Sequence, residues 1–213
     1  MEYLRKLVDI YLHEKILIAK DFPIEDTANL IKLVIKTYDN DGTLFTFANG
    51  GPSGCAEGFA TDLKTHPFVM EDKSITSDKR RLKVHCLNES CGVITGISND
   101  IGYNGIFKEQ LKNFMRNKNK NQNDLVIGFS GSGNSKNVIE AFNYAKQFGV
   151  KTACITGSNG GKSKDIVDIC IRIPGSSKYP GQTGKNDNNF HIEDFQTSIT
   201  HMVTGALKEH VWN

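Results

Sequence analysis

The chain has 213 residues, which suits one α/β domain with a complete hydrophobic core and leaves little length for two independent domains. Its 26 basic residues nearly balance its 24 acidic residues, so the composition does not indicate a nucleic-acid-binding protein. No stretch is long and apolar enough to span a membrane, and the N-terminus lacks the apolar core of a signal peptide, so we expect a soluble cytoplasmic protein with no membrane partner.

The first forty residues predict two helices. Apolar residues recur at helical spacing in the first segment, Pro23 interrupts the pattern, and a second periodic segment runs through Leu30 and Leu33. The stripe of the first helix consists of Leu4, Val8, Leu12, Ile16 and Leu17. Such a stripe usually packs against its own chain, and it is also compatible with an oligomer interface.

Five short apolar runs predict the strands of a sheet. They lie at 44–48, 82–87, 125–129, 152–156 and 169–173. Helical segments separate them, which is the pattern of a parallel sheet built with right-handed crossovers. We therefore predict a three-layer α/β/α sandwich with a five-stranded parallel sheet of the flavodoxin-like kind.

The five cysteines do not indicate a disulfide scaffold. They are Cys55, Cys86, Cys91, Cys154 and Cys170. No two of them form a C-x-x-C pair, and an odd number argues against a complete disulfide framework, so we expect reduced thiols.

The segment 124–157 is the most informative, because it combines a strand, a hydroxyl-rich turn, a helix and a second strand. Ser130, Ser132, Asn134 and Ser135 open the helix. A helix N-terminus offers unpaired N–H groups and a positive dipole end, and the hydroxyls add donors, so the turn predicts a site for a phosphate on a small molecule. The alternative is that these residues only cap the helix, but one cap uses one hydroxyl.

Two later segments need separate interpretation. Residues 156–163, TGSNGGKS, differ from a P-loop by one residue, with Thr156 in place of the first glycine. Only a few residues separate Ser163 from the next strand, which leaves no room for the helix that a P-loop requires.

The polar segment 174–189 is long for a connection in a compact domain, and either a lid or simple disorder would account for it.

Motifs in chain order carry a family resemblance. They are Asn49-Gly50-Gly51, the SNDIGY segment 98–103, the turn at 130–135, TGSNGG at 156–161, and His191-Ile192-Glu193-Asp194 leading to His201. In these segments the chain resembles the sugar isomerase (SIS) domain, and within it the phosphoheptose isomerase family. The resemblance implies a single SIS domain over 1–213, in which 1–40 is a helical oligomerisation segment of a homotetramer and 41–213 forms the α/β core.

The resemblance also implies a reaction. It is the aldose–ketose isomerisation of sedoheptulose 7-phosphate to glycero-manno-heptose 7-phosphate, which supplies heptose for surface polysaccharide. Such a reaction needs a base that carries a proton between neighbouring carbons and a group that manages the protons on two oxygens. The family's glutamate and histidine fall on Asp62 and His201, although Asp62 is shorter by one methylene, a retraction of roughly 1 Å. Glu193, where the family has glutamine, is a third candidate, and we expect it to pair with Asp62 as an acid and a base.

Two of the catalytic candidates have a simpler explanation. Asp62 could lie on an exposed helix turn, and His201 could be a hydrogen-bonded partner at a helix interface.

The resemblance also implies the contacts with the substrate. The phosphate would bind at the serine turn, and the sugar hydroxyls would contact Asn49 and Asp100. Gly50 and Gly51 would allow the backbone to approach the substrate closely, and Ser53 would supply a hydroxyl in place of the one missing at Pro52.

Some members of the family bind zinc through four side chains. The corresponding positions here are Gly58, Asp62, Glu193 and His201, so one histidine ligand is replaced by glycine. The interpretation requires no cofactor, yet Asp62, Glu193 and His201 could hold zinc or another divalent ion.

A noncatalytic protein of the same fold is the alternative function, either a phosphosugar sensor or a regulator of replication initiation. The replacements at Gly58, Asp62 and Glu193 favour that alternative, whereas His201 and Asp100 favour the enzyme.

Overall fold

The computed structural model describes residues 1–70, 73–74, 76–157, 159–182 and 188–213, without the side chain of Asn119. Five strands form one parallel sheet in the order β2-β1-β3-β4-β5. They are β1 Thr43–Ala48, β2 Lys83–Cys86, β3 Leu125–Ser130, β4 Lys151–Gly157 and β5 Ile169–Ile173. Each strand lies on one of the predicted apolar runs, so the prediction of the sheet is confirmed.

The helices connect and cover the strands. They are α1 Glu2–Lys20, α2 Ile24–Asp39, α3 Gly51–Thr65, α4 Cys91–Asp100, α5 Ile106–Leu111, α6 Lys118–Asn121, α7 Lys136–Lys146 and α8 Asn189–Trp212. Short 3-10 helices occupy His66–Phe68, Tyr103–Gly105 and Ser163–Asp165. Among the described residues between Gly157 and β5, that last three-residue turn is the only helical element, so the longer helix that a P-loop requires is absent there, as predicted.

Alternate residues of the three central strands, β1, β3 and β4, face opposite layers of the core. On β1, Leu44 and Ala48 belong to the layer formed with α2, α3 and α8, whereas Phe45 and Phe47 pack in the layer that contains α5 and α7. This alternation places buried side chains on both faces of the sheet, as a parallel sheet in an α/β protein requires. The three-layer sandwich is therefore confirmed.

The first helix packs differently from the others. Of its residues only Ile18 is buried. The predicted stripe residues Leu4, Val8, Leu12, Ile16 and Leu17 are between 46% and 58% exposed in the single chain. The expectation that the stripe packs against its own chain is therefore wrong, because these side chains remain exposed in it.

Several other predictions can be compared with the structure. All five cysteines are free thiols. Within the described residues, no helix is both long enough and apolar enough to cross a bilayer. Of the predicted lid or disordered segment, 183–187 lie outside the described residues, and 174–182 contain neither helix nor strand.

Candidate active site

The site lies where the order of the strands reverses. β1 and β3 are neighbours, β2 continues the sheet beyond β1, and β4 and β5 continue it beyond β3. In open α/β sheets, ligands bind at such a switch point, outside the carboxyl ends of the strands. Here Asn49 and Gly50 follow β1, and the serine turn follows β3. Two of the predicted segments therefore meet at the expected place.

The hydroxyls of the serine turn are not used up by helix capping. Ser135 is the N-cap residue of α7, yet its side chain makes no capping hydrogen bond. Its Oγ lies 3.2 Å from Oγ of the buried Ser130. Ser132 Oγ accepts a hydrogen bond from the Asn134 backbone N–H at 3.2 Å, and both residues are exposed. The exposed side of the turn is thus open to a ligand.

A second turn supports the serine turn from behind. Gly133 has φ +64°, and a Cβ placed on it would lie 2.2 Å from the carbonyl oxygen of Gly160. The backbone N–H and the hydroxyl of Ser163 both donate to the Gly133 carbonyl, at 3.0 and 2.9 Å. Only glycine permits this approach and this backbone angle together. Gly160 and Ser163 therefore hold the serine turn in place.

A wide cleft opens beside this turn. Its volume is about 710 Å³, and its lining includes Ser132, Asn134, Lys136 and Lys162. The prediction relied on hydroxyls and backbone amides alone and missed both lysines. Lys136, directly after the turn, could have been noticed from the sequence.

Asn49 is held by protein partners. It exchanges two hydrogen bonds with the amide of the buried Asn137, at 2.8 and 2.7 Å, and its Oδ1 also accepts from Tyr103 Oη at 2.9 Å. Neither partner was predicted, because residues 49, 103 and 137 are brought together only by the fold. The network fixes the carboxyl end of β1 against the start of α7.

The other predicted binding residues have local partners. Asp100 ends α4 in an exposed position, where its Oδ1 accepts from Asn99 at 2.8 Å. Gly50 has φ +62°, and Ser53 Oγ donates to its carbonyl at 2.7 Å. The Ser53 hydroxyl can therefore offer a ligand only its lone pairs. The proposed contacts of Asn49, Gly50, Ser53 and Asp100 with sugar remain predictions.

A second cleft, of about 340 Å³, lies between α3 and α8 and contains the three catalytic candidates. It is lined by Gly51, Gly54, Cys55, Gly58, Phe59, Asp62, Glu193, Asp194, Thr197, Thr200 and His201. His201 Nε2 lies 3.9 Å from one carboxylate oxygen of Asp62, and His66 Nε2 lies 3.6 Å from the other. Both distances exceed a hydrogen bond. The prediction missed His66, which directly follows α3, although its position four residues after Asp62 is a visible signal.

Glu193 packs against the start of α3. A Cβ on Gly51 would lie 2.4 Å from Glu193 Oε2, so glycine leaves the space that the carboxylate occupies. Burial, and secondly the charge of Asp194, raise the pKa of Glu193. We expected Asp62 to be the carboxylate that pairs with Glu193. That expectation is corrected, because the charged carboxylate that acts on Glu193 is its sequence neighbour Asp194.

Helix α8 passes from the serine turn to this cleft. Asn189, Glu193, Thr197 and His201 are spaced four residues apart, so they form one row along the helix surface. Asn189 Oδ1 would lie 3.4 Å from a Cβ on Gly131 of the serine turn. The twelve residue steps from Asn189 to His201 span about 18 Å. The row leads from the serine turn, past Glu193, to Asp62 and His201.

The residues present do not fit the zinc site implied by the resemblance. Gly58 has no donor atom, and among the described residues no three His, Cys, Asp or Glu side chains form a group that could hold a metal ion. Asp62, Glu193 and His201 line one cleft without converging on a common point. No step of the chemistry is therefore assigned to a metal.

Comparison with known proteins gives consistent results. Residues 11–157 match the SIS domain family. A phosphoheptose isomerase from Helicobacter pylori strain Shi470 is 30% identical over 183 residues, which cover 86% of this chain and 83% of that protein. One from Leptospira biflexa is 36% identical over 145 residues, or 68% and 69% of the two chains. The structure of phosphoheptose isomerase GmhA from Neisseria gonorrhoeae has the same fold, with a TM-score of 0.78 and 23% identity over 97% of this chain and 99% of that one.

Proposed function

Because the chain belongs to the phosphoheptose isomerase branch of the SIS domain family, it is a phosphosugar isomerase, and we propose that it converts sedoheptulose 7-phosphate to glycero-manno-heptose 7-phosphate. The observation that carries this assignment is the row of α8 residues that leads from the serine turn to the cleft of Glu193, Asp62 and His201. The linear order of these groups matches a sugar with phosphate at one end and its reacting carbons toward the other.

The phosphate is proposed to bind at the start of α7. Backbone N–H groups at a helix N-terminus, the hydroxyls of Ser132 and Ser135 and the ammonium groups of Lys136 and Lys162 all favour an anion there. Ser130 and Asn134 support the same turn from its inner and outer sides. This binding holds the sugar while its other end enters the second cleft.

Proton transfer is proposed to occur at Glu193, with His201 and Asp62 at the far end of the cleft. In the ketose, Glu193 would remove a proton from C1 and return it to C2 through an enediolate, while the His201 imidazole exchanges protons with O1 and O2. A carboxyl whose pKa is raised toward neutrality is better matched to taking up and returning a proton. Asp62, between two imidazoles, would orient His201.

The assembly and the compartment are also proposals. The exposed stripe of α1 suits contact between copies, and a homotetramer would cover it. His201, whose side chain is 66% exposed in one chain, would gain cover from the same assembly. We place the enzyme in the cytoplasm, where its five thiols stay reduced.

A direct assay tests the proposal. Purified protein is incubated with sedoheptulose 7-phosphate, with zinc or with a chelator, and aldose formation is followed. We expect turnover that falls at least about a hundredfold in Glu193→Gln, since general acid–base groups contribute roughly 10²- to 10⁴-fold. The control is Glu57→Gln, an exposed carboxylate of α3. Binding of the sugar without turnover would instead support the noncatalytic alternative.

A further inference from the structure

Helix α1 has a second face, which contacts the entry to α8. Its exposed stripe points outward, whereas Tyr11, Glu14 and Lys15 are half-buried against the segment before α8 and its first turns. These contacts join residues about 160 to 183 positions apart in the chain. An element that served only as an oligomer contact would not need such a polar inner face.

The centre of this face is the carboxylate of Glu14. One of its oxygens accepts from the Lys178 backbone N–H at 2.6 Å. The other accepts from Ser177 Oγ at 2.5 Å and lies 3.0 Å from His191 Nε2. Burial raises the pKa of Glu14, but the hydrogen bonds from Ser177, Lys178 and His191 together outweigh it and lower that pKa. A charged carboxylate with three donors thus binds two separate segments to α1.

His191 carries the contact into the active site. It is fully buried in the first turn of α8, two residues before Glu193, and its ring lies 4.3 Å from that of Tyr11. Among the described residues, its Nδ1 has no hydrogen-bond partner, so the bond to Glu14 is the polar contact that orients the ring. Buried imidazoles are rarely left with so few partners.

Asp194, which directly follows Glu193, is also held by α1. Asp194 Oδ2 accepts from Tyr11 Oη at 2.9 Å and from Lys15 Nζ at 2.7 Å. Residues 191 and 194 are therefore both tied to α1, and Glu193 lies between them with its carboxylate against Gly51.

We propose that Glu14 is a positioning residue for the isomerase: through Ser177 and His191 it fixes the first turn of α8, so that Glu193 enters the cleft beside Gly51. The inference rests on the proposed role of Glu193 in proton transfer. It makes the N-terminal helix part of the catalytic unit of its own chain, in addition to any contact with other copies.

The same residues do not form a nucleophilic triad. In a triad the imidazole lies between the hydroxyl and the carboxylate and takes the proton of the hydroxyl. Here the Glu14 carboxylate lies between Ser177 and His191, and both donate to it. The group therefore clamps two segments together and does not activate Ser177.

The test compares Glu14→Gln with Asp9→Asn, an exposed carboxylate of the same helix. A glutamine replaces one acceptor oxygen by an NH₂ group, which cannot accept from the donors that face it. We expect kcat of Glu14→Gln to fall by roughly ten- to a hundredfold, because a displacement of about 1 Å at the reacting centre can slow the reaction on that scale. KM should stay within about threefold of the wild type, because the serine turn is unchanged. Asp9→Asn should match the wild type.

Amide hydrogen exchange over residues 189–196 provides the second measurement. Faster exchange over 189–196 in Glu14→Gln, with exchange over 130–140 unchanged, would support the role of Glu14 in holding the first turn of α8. This result is independent of activity, so it would hold even if the wild type proves inactive on sedoheptulose 7-phosphate and the proposed function fails. If Glu14→Gln does not fold, Ser177→Ala should show the same separation of kcat from KM at about two- to fivefold, the effect of one lost hydrogen bond. An unchanged kcat per folded molecule, or unchanged exchange at 189–196, would overturn the inference.

Discussion

Two glycines on α3 differ in what surrounds them, and the difference can be tested. A Cβ on Gly51 would lie 2.4 Å from Glu193 Oε2, whereas a Cβ on Gly54 would meet nothing within 4 Å. We predict that Gly51→Ala displaces the Glu193 carboxylate and lowers kcat by about tenfold or more, as expected for a reacting group moved by about 1 Å. Steady-state kinetics should show Gly54→Ala close to wild type. Equal kcat values for the two variants would mean that Glu193 does not act from this position.

Gly58 provides a second prediction. The space around it is open, with nothing within 4 Å of an added Cβ. Replacing it by histidine puts a nitrogen donor one turn before Asp62, in the cleft that Glu193 and His201 also line. We expect Gly58→His to bind zinc at least about tenfold more tightly than the wild type in calorimetry, the scale that one added interaction of about 1.4 kcal/mol provides. If Gly58→Ala bound zinc as tightly, the gain would not come from the imidazole.

Single residues were predictable where a sequence pattern marks them. The neighbourhood of Asp62 and His201 was expected from the resemblance, and the structure brings them to one cleft. The hydrogen-bonded pair of Asn49 and Asn137 was not expected, because no local pattern marks a side-chain amide that will contact another one 88 positions away. The charged neighbour of Glu193 was also misassigned, since which carboxylate approaches it depends on side-chain directions within the cleft.

Among the elements, the start of β4 is tied to the segment before β5 by an acid-sensitive contact. Asp168 accepts from Lys151 Nζ at 2.8 Å and from the backbone N–H and hydroxyl of Thr152 at 2.9 Å each. Burial raises the pKa of Asp168, but these hydrogen bonds, that of Lys151 foremost, outweigh it and hold the pKa below its usual value. The carboxylate therefore stabilises the fold above its unfolded pKa of about 3.9, and this contribution disappears as pH falls through the lower, folded-state pKa.

The measurement is urea unfolding of wild type and Asp168→Asn between about pH 6 and pH 3. We predict that the variant is less stable at pH 6 and that the difference shrinks toward pH 3, as the wild-type carboxylate becomes protonated. A difference in unfolding free energy that stays constant over this range would show that the charge of Asp168 is not what matters.

The strands and the central helices could be predicted because burial imposes strong patterns on them. Both faces of the sheet are covered at its centre, so β1, β3 and β4 are buried almost throughout. The partners of α1 could not be predicted, because its outward stripe resembles the buried face of an ordinary helix. Its polar inner residues, such as Glu14, gain meaning only once the segment before α8 is in place.

For the assembled protein, the stripe of α1 leads to a prediction about oligomeric state. Leu12 is 53% exposed in one chain, at the middle of the stripe. If copies associate through this face, Leu12→Glu buries a charge at the contact and should lower the mass in light scattering from that of a tetramer. Lys6→Glu, a charge change away from the centre of the stripe, should leave the mass unchanged. A wild type that is already monomeric would remove the basis for the assembly.

The most direct test of the account is a crystal structure with sedoheptulose 7-phosphate bound. We predict the phosphate within hydrogen-bond distance of the backbone N–H groups and hydroxyls at the start of α7, and C1 or C2 within about 3.5 Å of the Glu193 carboxylate, in line with a reactive geometry. A phosphate bound elsewhere, or reacting carbons held away from both Glu193 and the Asp62 and His201 pair, would contradict it.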